Sequence, residues 1–450
     1  MKKPIRIHPF FALGLVGASL LAIAPTAGAV PSFARQTGLA CNACHTVAPQ
    51  LNAFGRYFKL HGYVLGPNKL TGGSNKLSIS ELPPLSAMAI VSDTLTRRAQ
   101  PGTQNGSVQF PQQLSVFYAG AISEHMGAFA QMTYEQPGDH FSMDNTDVRY
   151  ARDVNWNNQT LVWGLTLNNN PTVQDVWNST PAWGFPYISS AVAPTPSASP
   201  LIAGPLAQNV AGVGAYAWLN NTWYGELTVY RSSQTGNPTV PLDSTATGVI
   251  AGVAPYWRFA WDHPWSSGSG QSDLEIGTLG LNTHLYPGGG NPLSGPTDNY
   301  LDIGADAQYQ YITSNNSLTL HAIYIHERQE LNASSAYGLA ASPNNHLNAW
   351  NVNASYYWNE AYGPTIGYFR TTGSSDPVLY APASLSGSLT GSPDSNGWIL
   401  QWTWLPTLNV QATAQYVIYN KFNGASANYD GSGRSASDNN TLYLALWLLW

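Results

Sequence analysis

The chain has 450 residues and a formal charge of −6, with only 9% charged side chains but 12% aromatic ones, including 16 Trp and 25 Tyr. Soluble domains carry roughly 25% charged residues, so an ordinary set of soluble domains is excluded. Without a basic patch there is also no case for nucleic acid as a partner. At the start, Lys2, Lys3 and Arg6 precede an apolar run from Phe10 to Ile23 and then Ala27-Gly28-Ala29. These are the three parts of a secretory signal peptide, expected over residues 1–29 with cleavage after Ala29. The run is too short to cross about 30 Å of hydrocarbon. No later apolar stretch approaches the roughly 18 residues of a spanning helix. A chain poor in charge and rich in interfacial aromatics then points to a closed β-barrel, the other structure that satisfies its backbone in lipid.

The two cysteines both fall in Cys41-Asn42-Ala43-Cys44-His45, the C-x-x-C-H spacing of c-type haem attachment. Each thiol can form a thioether to a haem vinyl group, and the adjacent imidazole is then placed as the proximal iron ligand. A disulfide or redox dithiol is the alternative in an exported chain. The His that follows directly, the export signal and the lack of a βαβ pattern weigh against it. Leu51, Phe54 and Phe58 recur at helical spacing before Gly62, predicting a short amphipathic helix against the haem. Two residues are candidates for the distal position. Met88 lies in Ser86-Ala87-Met88-Ala89-Ile90-Val91-Ser92 on the strand face shared with the serines and Thr94, which should look into a lumen. His61 falls on the stripe of Phe58. Either is otherwise a packing residue. Arg35, Arg56 and Lys59 are candidates to pair with haem propionates, or else are solvated.

From about residue 84 the chain reads as strands of roughly ten residues with period-two alternation. Leu301, Ile303, Ala305, Ala307, Tyr309 and Tyr311 oppose Asp302, Gly304, Asp306, Gln308 and Gln310, an apolar face outside and a polar, little-charged face inside. Leu408 to Ile418 repeats the pattern, and Trp350 to Trp358 sets aromatics at both ends of one outward face. Strands are expected near 84–95, 113–122, 127–135, 144–153, 160–169, 210–219, 222–231 and 253–262. Eight more are expected near 272–284, 298–312, 317–327, 346–358, 361–372, 396–405, 408–419 and 441–450. The even total of about 16 suits a bacterial single-chain barrel. Short connections such as Asn220-Asn221 and Asn359-Glu360 alternate with long ones at 170–209, 232–252 and 373–394, so the long ones are expected outside and both barrel ends in the periplasm. Leu442, Leu444, Leu446, Leu448 and Trp450 close the chain on one face. The expected organisation is a signal peptide (1–29), a short, partly helical haem-binding segment that plugs the lumen (30–80), and an all-β antiparallel transmembrane barrel (81–450).

The run Pro31-Ser32-Phe33-Ala34-Arg35-Gln36-Thr37-Gly38, the haem motif, and Phe54-Gly55-Arg56-Tyr57-Phe58-Lys59-Leu60-His61-Gly62-Tyr63 together resemble the fused monohaem cytochrome c-porin family. Its best known members are outer-membrane iron oxidases. The resemblance is specific over residues 31–63 and rests on length and strand count over the barrel. It implies one c-type haem on Cys41 and Cys44 with His45 as proximal ligand, and names no distal ligand. It further implies oxidation of extracellular Fe(II), with electrons passing to a periplasmic cytochrome or copper protein. Two other readings stay open: a diffusion porin plugged by its haem segment, and an outer-membrane conduit for a different donor or acceptor. Loop acids Asp139, Asp175, Asp243 and Asp376 are candidates to attract cations, or are solvated. No H-E-x-x-H, Walker or G-x-S-x-G pattern supports a hydrolase or nucleotide enzyme.

Overall fold

The computed structural model describes residues 31–65, 70–74, 77–80, 83–103, 105–136, 138–233, 248–287 and 295–450. The expected signal peptide and Asp243 lie outside the described residues. One antiparallel sheet closes on itself. Its strands are β1 Leu85–Thr96, β2 Ser107–Ala121, β3 Met126–Glu135, β4 His140–Trp156, β5 Gln159–Asn168, β6 Val210–Leu219 and β7 Trp223–Ser232. They continue as β8 Ala254–Ser267, β9 Gly270–Pro287, β10 Asp298–Ile312, β11 Asn316–Glu330 and β12 Asn344–Trp358. The last are β13 Tyr362–Gly373, β14 Ser395–Thr407, β15 Val410–Lys421 and β16 Thr441–Leu449. The short segment Gly248–Ile250 pairs with β9, the neighbour of β8, so it and β8 form one interrupted strand and the barrel has 16. Closure is by β16 on β1, from Thr441 opposite Thr96 to Leu449 opposite Met88.

The alternation read from the sequence is the alternation of the wall. On β10, Asp302, Asp306, Gln308 and Gln310 are buried toward the lumen, while Ile303 faces out at 48% exposure. Leu227 on β7 is 72% exposed. A continuous apolar exterior of this kind is stable only against hydrocarbon. Aromatic pairs bracket it: Tyr324 with Trp350 and Tyr368 with Trp398 at one level, Trp358 with Tyr362 and Trp402 at the other. The barrel is thus built to span a membrane. Among the described residues no helix is long and apolar enough to do so.

Tight turns gather at one end. Asn157-Asn158, Asn220-Asn221 and Asn359-Glu360 all have φ between +50° and +62°, the conformation a two-residue hairpin needs and asparagine tolerates. The long connections leave from the other end. The longest of them departs from the expected exterior course. Residues 169–209 turn into the lumen, where Trp177 is fully buried, Gln174 donates to the Tyr230 hydroxyl (2.8 Å), and the Phe185 and Ile188 carbonyls accept from Asn351 (2.7 Å) and Gln415 (3.1 Å). The physical reason is charge. The inward faces of β8, β9 and β10 carry Arg258, Glu275 and Asp306, and buried charges need partners that water cannot supply there. Asp175 and Ser179 of the loop complete that network, at 3.4 and 3.3 Å from Arg258.

Candidate functional site

The residues ahead of the barrel form two helices, α1 Pro31–Thr37 and α2 Ala53–Leu60, with the haem motif between them. Asn52 caps α2 by accepting from the Gly55 amide at 3.0 Å, and its side-chain amide donates to the carbonyls of Asn42 and Ala43. One residue therefore starts the helix and ties it to the motif. Gly55 explains the closeness of the two: a Cβ there would lie 2.2 Å from the Cys44 carbonyl oxygen. No side chain larger than hydrogen fits without displacing backbone.

The motif sits at the tight-turn end of the barrel. Cys41 Sγ lies 3.7 Å from the Leu408 carbonyl oxygen, and Asn42 donates to Glu360 at 2.7 Å; both partners belong to tight turns. Cys41 and Cys44 are not joined by a disulfide. Burial pushes the Cys44 thiol up to about 11, which disfavours the thiolate a redox dithiol would use. Burial also takes the His45 imidazole down to about 4, partly offset by hydrogen bonds with the backbone of Pro49 and Gln50. The ring is accordingly neutral, the form that coordinates metals. Its Nδ1 is shielded and has no hydrogen-bond partner. Two thiols three positions apart and a neutral imidazole with an orphaned nitrogen form a donor set that fits a covalently held haem.

From the motif, α2 carries its side chains up into the lumen. Arg56 reaches Asp273 of β9 at 2.6 Å and donates to Gln308 (3.2 Å) and Gln310 (3.0 Å) of β10. Lys59 donates to the carbonyls of Val173 and Asp175 of the inward loop, both at 2.8 Å, and lies over the Trp183 ring. Leu60 is fully buried with Val176, Trp177 and Tyr224, and its carbonyl accepts from the Tyr216 hydroxyl at 2.7 Å. The haem-motif segment and the inward loop therefore meet inside the barrel. Arg35 donates to the Leu85 carbonyl. The side chains considered as propionate partners are thus all engaged with the wall, its rim or the loop.

Met88 is brought to this segment. It points inward from β1 at 3% exposure and packs in one cluster with Phe58, Tyr63, Phe117 and Phe129. His61 has both ring nitrogens engaged: Nδ1 lies 2.7 Å from the Tyr57 carbonyl oxygen and Nε2 is 2.9 Å from Asp153 of β4. Of the loop acids, Asp139 is exposed and accepts from Tyr134, while Asp175 is buried in the lumen network. Asp376 is wrapped by backbone N–H groups of Ala341, Ser342, Val378 and Leu379, so it pins loops and is not open to attract cations.

Sequence reasoning missed the ionic lining. Arg149 pairs with Asp147 at 2.7 Å, and three carboxylates, Asp175, Glu275 and Asp306, surround Arg258, all of them shielded. The signal was present on the strands: Asp147, Arg149, Arg258, Glu275 and Asp306 hold inward positions, where Asp262, Asp273 and Asp302 are buried as well. A cavity of about 290 Å³ remains between the inward loop and β11 to β13, lined by Asn178, Thr180, Phe185, His321, Asn351 and Asn353 among others.

No known family model and no curated protein matches the chain. Solved structures that resemble it are outer-membrane barrels. Salmonella typhi OmpF in complex with daunomycin is 13% identical, with a TM-score of 0.48 over 81% of this chain and 97% of that one. The anion-selective porin of Comamonas acidovorans is 9% identical, with a TM-score of 0.46 over 81% and 98%. The outer-membrane channel DcaP of Acinetobacter baumannii is 11% identical, with a TM-score of 0.42 over 81% and 96%.

Proposed function

We propose that the chain is an outer-membrane electron-transfer protein that oxidises extracellular Fe(II) and delivers the electrons to a periplasmic cytochrome or copper protein. The observation that carries this is the C-x-x-C-H motif at the tight-turn mouth of a membrane-spanning barrel, with the His45 imidazole neutral and its shielded Nδ1 missing a partner. Cys41 and Cys44 would hold the haem by thioethers and His45 would ligate its iron. Haem so bound supplies a one-electron couple whose potential depends on axial ligation and burial. The chain's own residues do the rest. Phe33, Phe58 and Tyr63, with ring centroids 5.1 to 6.1 Å apart, keep water from the segment, and Met88 from the wall is in the same cluster. Arg56 and Lys59 fix the segment to the barrel and to the inward loop. A lumen occupied from both ends restricts solute flow, whereas an electron needs no open channel.

A second reading is a diffusion porin with a haem-bearing plug. It is supported by the polar lumen and by the cavity beside the inward loop. Sealed liposomes separate the two. Ferrous iron offered to the long-loop side reduces the oxidised protein under the first reading. Under the second, the protein stays oxidised in ferrous iron and the vesicles leak small solutes. A protein that stays oxidised in ferrous iron, but accepts electrons from another reductant without leakage, is a conduit for a different donor.

A further inference from the structure

Above the aromatic level formed by Tyr324 with Trp350 and Tyr368 with Trp398, the outward faces of the strands turn polar. Two histidines stand there side by side. His326 is outward on β11 and His346 outward on β12, and strand register sets His326 opposite Asn348 and His346 opposite Arg328. The imidazoles are thus diagonal neighbours, with ring centroids 6.2 Å apart and planes 31° apart.

Each ring is oriented through the same atom. His326 Nδ1–H donates to Asn348 Oδ1 at 2.9 Å, and that oxygen also accepts from the Tyr324 hydroxyl at 2.7 Å. An amide oxygen only accepts, so the His326 proton is on Nδ1 and the lone pair is on Nε2. His346 Nδ1 is paired with the Ser374 hydroxyl at 2.8 Å, and Ser374 Oγ also accepts from the His346 amide at 3.1 Å. Metal-ligating imidazoles are held in this way, one nitrogen fixed by a neighbour so that the other faces the ion. The spacing suits one ion. At metal–nitrogen distances of about 2.0–2.1 Å each ring centroid lies about 3.2 Å from the metal, so tetrahedral ligation sets two centroids about 5.2 Å apart, and the two rim side chains need to close by about 1 Å to share an ion. The neighbouring cation Arg328 is already paired with Glu330, at 2.5 Å.

We propose that His326 and His346 form a two-imidazole site for a divalent transition-metal ion on the rim of the barrel at its long-loop end. Imidazole nitrogen selects the zinc, copper, nickel and iron class over calcium and magnesium. Among the described residues no group of three or more His, Cys, Asp or Glu side chains could hold a metal. Water therefore completes the coordination, and an ion held by two protein ligands exchanges readily. The site does not depend on haem or on iron oxidation.

The test is equilibrium dialysis of the full protein in detergent with Zn(II), which has no redox chemistry. Wild type is expected to bind one ion that is weakened at least tenfold in His326→Gln and, separately, in His346→Gln, with heat-modifiable migration confirming a folded barrel. A second measurement needs no variant: Zn(II) should protect His326 and His346 from diethyl pyrocarbonate while leaving the exposed His140 reactive. Binding unchanged in both histidine variants, or no protection of the pair, would overturn the site.

Discussion

Arg56, on the helix that follows the haem motif, and Asp273, on the inner wall of the barrel, meet at 2.6 Å with side chains only 2% and 9% exposed. Removing one member of a buried pair costs about 3–5 kcal/mol, because the other charge stays buried without compensation. Arg56→Gln is therefore expected to weaken docking of the segment while β8 and β9 still close. Planar-bilayer recordings should show larger or more frequent conductance steps than wild type. Conductance equal to wild type would mean that the inward loop alone seals the lumen.

Gly55→Ala places a methyl group 2.2 Å from the Cys44 carbonyl oxygen, against backbone that cannot rotate away. Overpacking of this kind costs about 1–3 kcal/mol. The expected result is a lower ratio of haem absorbance to protein with the barrel intact. A fully loaded variant would show that the motif shifts away from α2 when haem is attached.

His45→Ala and Cys44→Ser alter residues outside every barrel strand. Both should leave a heat-modifiable, membrane-inserted barrel that lacks the haem absorption bands or electron transfer. Loss of the barrel itself would make haem attachment a condition of folding, contrary to the two-part architecture.

Met88→Ala removes the inward thioether from the buried cluster that includes Phe58 and Tyr63. The expected outcome is a changed haem potential and loss of any long-wavelength sulfur-to-iron band, together with a packing cost of about 2–5 kcal/mol. An unchanged spectrum in Met88→Ala, with low-spin character lost in His61→Ala, would assign the distal position to His61. That outcome would also require His61 to leave Asp153 and the Tyr57 carbonyl.

Asp376 supplies a pH dependence outside the membrane. Burial alone would raise its carboxyl, but backbone N–H donors from Leu379, Ala341, Ser342 and Val378 outweigh that and hold it at about 2, below the ordinary 3.8. A depressed carboxylate contributes stability that is complete above its unfolded value and lost as pH falls through the folded one. Pepsin cleavage within residues 374–394 should therefore rise steeply between about pH 4 and pH 2. In Asp376→Asn that rise should be absent, with the loop already loosened at neutral pH by about 1.5–3 kcal/mol. Equal cleavage of both proteins across this range would show that the loop is anchored elsewhere.

The period-two pattern determined the barrel from the sequence alone, because a strand in a membrane wall has only two faces and lipid accepts only one kind of side chain. It placed β6 at residues 210–219 and β10 at 298–312, as observed. The pairs Asn220-Asn221 and Asn359-Glu360 marked tight turns for a local reason, the tolerance of asparagine for positive φ. The Cys41, Cys44 and His45 motif could be singled out because the C-x-x-C-H spacing is itself a local pattern. What sequence could not reveal was the content of the lumen. The turn of residues 169–209 into the pore, the contacts of Lys59 with Val173 and Asp175, and the enclosure of Arg258 by Asp175, Glu275 and Asp306 join residues distant in the chain. The pairing of His326 with His346 likewise depends on the register between β11 and β12. Such contacts have no local signature. They exist only once the sheet has closed, when each buried charge must find its partner among the groups that closure has brought within reach.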